Sequence, residues 1–158
     1  MRTHRSAQRG ITPVEPVIVV LILGILLAVA LPRSMNLGAE ARKKKLEAAL
    51  GSVKAATQLT RAAALMAGGS ALDDDDSIMQ DGVVVETVHG YPKASAEGIV
   101  RATGLDPAGD RISISINGSA VTFAIQGAPA QARCSFTYVQ SSRAVLPPTI
   151  SSLTTTGC

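Results

Sequence analysis

The sequence predicts an α+β protein, in which one long N-terminal helix packs against an antiparallel sheet of about four strands. An apolar run begins near residue 14, and helical periodicity continues from it to about residue 66. In the second half of the chain, apolar and polar residues alternate as they do in half-buried strands. A helical run followed by a run of strands is typical of the α+β class.

The apolar run forms the first half of the predicted helix. Between Val17 and Leu31 no side chain carries a charge or forms hydrogen bonds. A helix from Val14 to Pro32 would be roughly 28 Å long at 1.5 Å per residue, which just suffices to cross the hydrocarbon core of a bilayer. We therefore predict that this half of the helix spans a membrane.

A conventional secretory signal peptide is the alternative interpretation of this run. Basic residues precede it, and Ala28-Val29-Ala30 resembles a small-residue cleavage site. However, the helical pattern resumes after Pro32-Arg33, with an apolar stripe on one face and a polar face opposite, so we favour one continuous amphipathic helix. The stripe consists of Leu46, Ala49, Leu50, Val53, Thr57, Thr60 and Ala64.

The strands of the predicted sheet follow Gly68-Gly69-Ser70, which ends the helix. The hairpin at 111–126 is the clearest element, because isoleucines alternate with serines and Asn117-Gly118 is a typical turn dipeptide. The other predicted elements are a strand at 82–89, a short helix at 95–103 stopped by Gly104, a strand at 133–140 and an extended piece at 150–156.

Two groups of side chains in the second half of the chain suggest a disulfide and a metal site. Cys134 and Cys158 form an even pair downstream of an export segment, which predicts a disulfide made in an oxidising compartment. The Asp73–Asp76 run suggests Ca²⁺ as an alternative, but adjacent side chains cannot all converge on one ion. We therefore predict a solvated loop there, with no metal and no cofactor.

The charge distribution argues against nucleic-acid binding. Three of the 15 basic residues precede Gly10, which leaves 12 basic residues against 12 acidic ones in the rest of the chain. Aromatic side chains for stacking on bases are scarce. The basic run Arg42–Lys45 is predicted to be a solvated helix face near a membrane, and contact with phosphate or lipid headgroups is the alternative.

The sequence offers no set of catalytic residues. Beyond the basic leader, His89 is the one histidine, and it has no acid near it in the sequence. The cysteines are predicted to be oxidised, and neither a G-x-S-x-G motif nor a phosphate-binding glycine loop occurs. We expect no enzymatic activity.

The N-terminal segment resembles the class III signal peptides of type IV pilins and of type II secretion pseudopilins. A basic leader, Gly10, Glu15 at a fixed offset and an apolar helix carry this resemblance. Ile11, Pro13 and Pro16 depart from it, since the family has Phe and aliphatic residues there. Over the full length the chain resembles type IV pilins of the mannose-sensitive haemagglutinin (MSHA) type, through Leu23–Leu26, Ala30–Arg33, Gly90-Tyr91-Pro92, Ala94-Ser95, Gly98-Ile99, Cys134, Phe136–Tyr138, Pro147–Thr149 and Gly157-Cys158.

The resemblance implies the type IV pilin fold and a processing site. Residues 1–10 would be a leader, 11–36 a transmembrane and filament-core half helix, and 37–158 a globular head that includes the amphipathic half helix. A prepilin peptidase would cut after Gly10 and methylate the new amine of Ile11. Glu15 would pair with that amine in a neighbouring subunit.

The resemblance also implies a function and a location. The chain would be a structural subunit of an MSHA-like pilus, made in the bacterial inner membrane with its N-terminus cytoplasmic and then assembled into an extracellular fibre for adhesion. Its partners would be the peptidase, the inner membrane, identical subunits in a helical filament and the pilus assembly machinery, without nucleic acid. The alternatives are a pseudopilin forming a periplasmic piston and a secreted domain released after Ala30.

Overall fold

The chain forms two compact units, Met1–Gly38 and Ala39–Cys158. In its described part the first unit is helical, whereas the second contains the remainder of the same helix and two antiparallel sheets. The α+β class predicted from the sequence is therefore confirmed. The computed structural model describes residues 13–68, 76–144 and 146–158, apart from the side chains of 28–37.

Helix α1 spans Val14–Ala67, close to the predicted 14 to 66. Gly68 follows with a φ of 83°, a left-handed conformation that commonly ends a helix. The stripe predicted to face the globular domain is buried except for Leu50, which is partly buried, and Leu46, Val53 and Thr60 have no exposed surface. Ala49, Ala56, Thr57 and Ala64 are also buried on this face.

A three-stranded antiparallel sheet follows the helix. Its strands lie in the order β1 (Asp76–Gln80), β2 (Val83–Val88) and β3 (Tyr91–Pro92). Two-residue turns join them, Asp81-Gly82 and His89-Gly90, and all four turn residues have positive φ. Positive φ at both positions is what a type I′ hairpin turn requires.

The short helix predicted at 95–103 is present in two parts. A π-helical turn, Ala96–Val100, leads directly into α2 (Arg101–Thr103). Gly104 ends α2 with a φ of 63°, as predicted. The π-helical turn is made possible by Gly98, since a Cβ at this position would overlap the main chain of Lys93.

The second sheet has four antiparallel strands and forms most of the core. Its face towards α1 carries Phe123 and Phe136, whose rings stack with centroids 5.1 Å apart. These rings lie in one buried cluster with Leu46 and Val53 of α1. The strands, in order, are β4 (Ile112–Asn117), β5 (Ala120–Ile125), β6 (Ser135–Val139) and β7 (Thr149–Ile150).

The turn of the β4–β5 hairpin lies one residue further along the chain than predicted. Asn117 pairs with Ala120, so the loop is Gly118-Ser119 and not Asn117-Gly118. Gly118 supplies the positive φ, 57°, at the first loop position. This register pairs all three isoleucines of β4 with apolar residues of β5, whereas the predicted turn would have set Ile116 opposite Ser119.

The prediction of one sheet is wrong, because the strand predicted at 82–89 does not join the hairpin. It is β2, and its tight turns pair it with its own sequence neighbours β1 and β3. A buried hydrogen bond connects the two sheets, since the Tyr138 hydroxyl of β6 donates to the Pro92 carbonyl of β3 at 2.6 Å.

Because the Tyr138 hydroxyl is buried, the free energy of unfolding depends on pH in the alkaline range. Burial, together with the nearby Tyr91, raises the pKa of Tyr138 above its usual value of about 10. The unfolded chain releases this proton at a lower pH than the folded chain does, so stability is lost as pH rises above about 10. We expect Tyr138→Phe to cost about 1–2 kcal/mol at pH 8 and to remove this part of the alkaline loss.

Urea unfolding of the full chain at pH 8 and above pH 10 measures both effects. Tyr91→Phe is the matched control, because it removes a half-buried hydroxyl that has no hydrogen bond among the described residues. It should cost little at pH 8 and keep most of the alkaline loss, since burial is the larger cause of the raised Tyr138 pKa. Identical alkaline slopes for wild type and Tyr138→Phe would contradict the assignment.

Candidate functional site

In the sequence, the predicted processing residues precede α1, and the predicted assembly residue lies in its first turn. Gly10 and Ile11 lie outside the described residues. Glu15 is in the first turn of α1, where a carboxylate interacts favourably with the helix dipole. Pro16 is also in this first turn, where main-chain N–H groups have no partner within the helix, so its missing N–H costs no hydrogen bond.

The first half of α1 exposes an apolar surface on all sides. Every large hydrophobic side chain from Val14 to Leu27 is at least half exposed. Over this stretch Glu15 is the one charged residue. A helix that is apolar all round needs an apolar environment, since exposed patches of this size are otherwise sites of interaction or aggregation.

Gly24 interrupts this apolar surface. A Cβ built on it would meet no atom within 4 Å, so no packing within the chain requires a glycine there. In a helix interior glycine costs up to about 1 kcal/mol relative to alanine. A small residue on such a surface allows a second helix to approach closely.

Among the described residues, no helix combines the length and the hydropathy that crossing a bilayer requires. The transmembrane assignment of 11–36 also includes residues that are not described. That assignment stays a prediction.

The predicted disulfide joins Cys134 to Cys158, which are 24 positions apart in the sequence and have Cα atoms 4.8 Å apart. Both cysteines are buried, and Cys134 has no exposed surface. Gly157 donates to the Arg133 carbonyl at 2.8 Å, and a Cβ on it would overlap the Ala130 carbonyl. The bond therefore fixes the last residues against the beginning of β6.

The basic run at 42–45 is more than a solvated face. Lys43 and Lys44 form ion pairs with acids of their own helix. Arg42 donates to the main-chain oxygen of Cys158, and Lys45 donates to the Asp110 carbonyl at 2.7 Å. Arg42 is half-buried, so the predicted solvated face does not hold for it, whereas Lys45 is exposed as predicted. Both side chains link α1 to distant segments that sequence spacing could not identify.

The Gly90-Tyr91-Pro92 motif contacts both α1 and the four-stranded sheet. Gly90 completes the β2–β3 turn, and the guanidinium carbon of Arg61 lies 4.8 Å from the centre of the Tyr91 ring. Arg61 also donates to the His89 carbonyl at 2.8 Å. With the Pro92–Tyr138 hydrogen bond, the motif thus connects three elements of the head.

The acidic run is divided by the start of β1. Asp73, Asp74 and Asp75 lie outside the described residues, whereas Asp76 is the first residue of β1 and accepts the Ser77 N–H at 2.7 Å. No group of three or more potential metal-binding side chains occurs within the part of the chain that the structure describes.

Comparison of the chain with protein-family profiles, with curated proteins and with solved structures found no match.

Proposed function

We propose that this protein is a structural subunit of a type IV pilus of the MSHA-like kind. The observation that carries the proposal is the exposed apolar half of α1, which has a single carboxylate, Glu15, in its first turn. The same helix continues into a head whose last residue is fixed by a disulfide. A helix that needs an apolar environment, joined to a stabilised head, suits a subunit that polymerises through its helix.

Assembly gives Glu15 its role in this proposal. In a bundle of apolar helices, the carboxylate is costly unless a positive charge pairs with it. The α-amine of Ile11 in a neighbouring subunit supplies that charge once the leader is removed. Apolar contacts provide the attraction, and the ion pair sets the axial register between subunits.

The proposal also assigns a location and partners. The precursor resides in the bacterial inner membrane with its N-terminus in the cytoplasm, where a prepilin peptidase cuts after Gly10 and methylates Ile11. The assembly machinery then adds the mature chain to identical subunits in a helical fibre at the cell surface. The fibre serves attachment, and the subunit has no enzymatic activity of its own.

Processing is tested by replacing Gly10. In the producing bacterium we expect Gly10→Val to leave uncleaved precursor in the membrane, because a branched side chain would obstruct the peptidase site next to the cut. Gly10→Ala is the matched control and should retain partial cleavage. Mass spectrometry of the membrane fraction and of sheared surface material measures the N-terminus.

Each outcome identifies one function. A mature chain beginning at Ile11 in long surface fibres supports the pilus subunit, and the same chain confined to a periplasmic stub indicates a pseudopilin. An exported chain beginning at Leu31 would show cleavage after Ala30 and a secreted domain. Normal maturation of Gly10→Val would refute the assigned processing site.

A further inference from the structure

Among the described strands, β4 lies at an edge of the four-stranded sheet, and part of its main chain has no described strand beside it. β4 pairs with β5 alone. The two-residue loop makes Asn117 and Ala120 a hydrogen-bonded pair, so the N–H and C=O groups of Asn117 point towards β5. Because these groups point to alternate sides along a strand, those of Ser115 also point towards β5. The N–H and C=O groups of Ile114 and Ile116 therefore point away from the sheet.

The hydrogen bonds around the sheet agree with this alternation. The Ile125 N–H of β5 donates to the Cys134 carbonyl, on the side away from β4. The main-chain groups of the even-numbered residues of β5 therefore point towards β4. The main-chain groups of Ile112 point away from the sheet like those of Ile114, and the Ile112 N–H donates to the Pro107 carbonyl at 3.1 Å. No main-chain hydrogen bond of the described segments reaches Ile114 or Ile116 from outside the sheet.

In the part of the chain that the structure describes, this edge lacks the features that usually prevent strand pairing. Edge strands are commonly protected by lysine, proline, a bulge or a covering segment. The β4 sequence, Ile112–Asn117, contains no charged residue and no proline, and its pairing with β5 is regular throughout. Ile116 remains 44 % exposed at the open end of the strand.

We propose that β4 pairs with β4 of a second copy of this chain, antiparallel about a two-fold axis at Ser115. In this register Ile114 of each copy lies opposite Ile116 of the other, and their outward main-chain groups satisfy each other. Isoleucine meets isoleucine on the core face, and Ser115 meets Ser115 on the outer face. The alternation of β4 is self-complementary, and no charge opposes the pairing, so a second copy fits this edge.

The pairing joins two four-stranded sheets into one of eight strands. It uses residues of the Ala39–Cys158 unit alone and does not depend on the proposed pilus function. In a strand pair of this kind, residues that are not hydrogen-bonded to each other have Cα atoms about 4.5 Å apart. Ser115 and its counterpart would form such a pair, within the range that a disulfide bridges.

Cysteine cross-linking tests the register directly. The full chain carrying Ser115→Cys, in uncharged detergent micelles, is oxidised mildly by air with a copper catalyst and run on a non-reducing gel. We expect a covalent dimer as the main product. Ser113→Cys is the matched control on the same face, because the two copies of residue 113 would lie about 14 Å apart along the strands.

A charge on the edge provides the second test. Ile116→Lys in the Ser115→Cys background should lower the dimer yield at least tenfold, while the melting temperature of the monomer changes by only a few degrees. A monomeric Ser115→Cys chain, equal cross-linking at positions 113 and 115, or a dimer yield unaffected by Ile116→Lys would each overturn the proposal.

Discussion

Glu15→Ala is expected to reduce surface fibres at least tenfold, while the level of the mature chain in the membrane fraction stays normal. The change removes a charge from an apolar segment, so insertion into the membrane is unharmed or slightly improved. It also leaves the Ile11 amine of the neighbouring subunit without a carboxylate inside the fibre. Removing one partner of a buried ion pair costs about 3–5 kcal/mol. A tenfold loss of fibres needs only about 1.4 kcal/mol.

Two further variants separate charge from position. Glu15→Asp keeps the charge but withdraws it by one methylene, and it should give an intermediate number of fibres. Glu15→Gln keeps the size without the charge, and it should resemble Glu15→Ala. Immunogold counts of fibres per cell and blots of the membrane fraction measure assembly and insertion separately. Wild-type fibre numbers in Glu15→Ala would show that the carboxylate has no role in register.

Loss of the disulfide is expected to have the largest effect on stability. The Cys134–Cys158 bond closes a loop of about 25 residues, and the chain-entropy relation gives about 3.5 kcal/mol for its removal. Replacing both cysteines by serine should lower the free energy of unfolding by this order and detach the last residues from β6. Urea unfolding of the full chain measures the loss, and resistance to carboxypeptidase measures the detachment.

Reductant is the matched control for the disulfide. Reducing the wild-type chain should shift its unfolding midpoint towards that of the double-serine variant, which reductant should leave unchanged. Alkylation of the unreduced wild-type protein should label no cysteine. Equal stability of the two chains would mean that Arg42 and the Gly157 contacts alone hold the C-terminus.

Local patterns in the sequence were sufficient for the elements they encode directly. The stripe from Leu46 to Ala64 predicted the buried face of α1, because helical spacing alone decides which residues share a face. The alternation of isoleucine and serine predicted the β4–β5 hairpin for the same reason. The two cysteines could be paired without error, since the chain contains no others.

Features that depend on distant contacts were missed. Nothing in the spacing of Arg42 and Lys45 indicates that their partners are the main-chain oxygens of Cys158 and Asp110. The sequence contains one indication of the second sheet. Asp81-Gly82 is a strong type I′ hairpin dipeptide, which predicts a strand, β1, before the strand at 82–89. The two-residue strand β3 is too short to give an alternating pattern.

The bonds that attach the head to its half of α1 suggest that the head tolerates acid. Lys45 and Arg61 donate to main-chain carbonyls, and Thr60 donates to the side-chain amide oxygen of Gln80. Carbonyl and amide oxygens do not take up protons at the pH values at which carboxylates lose their charge. A gastric or fermentative environment would therefore weaken the ion pairs along the helix surface and leave this attachment in place.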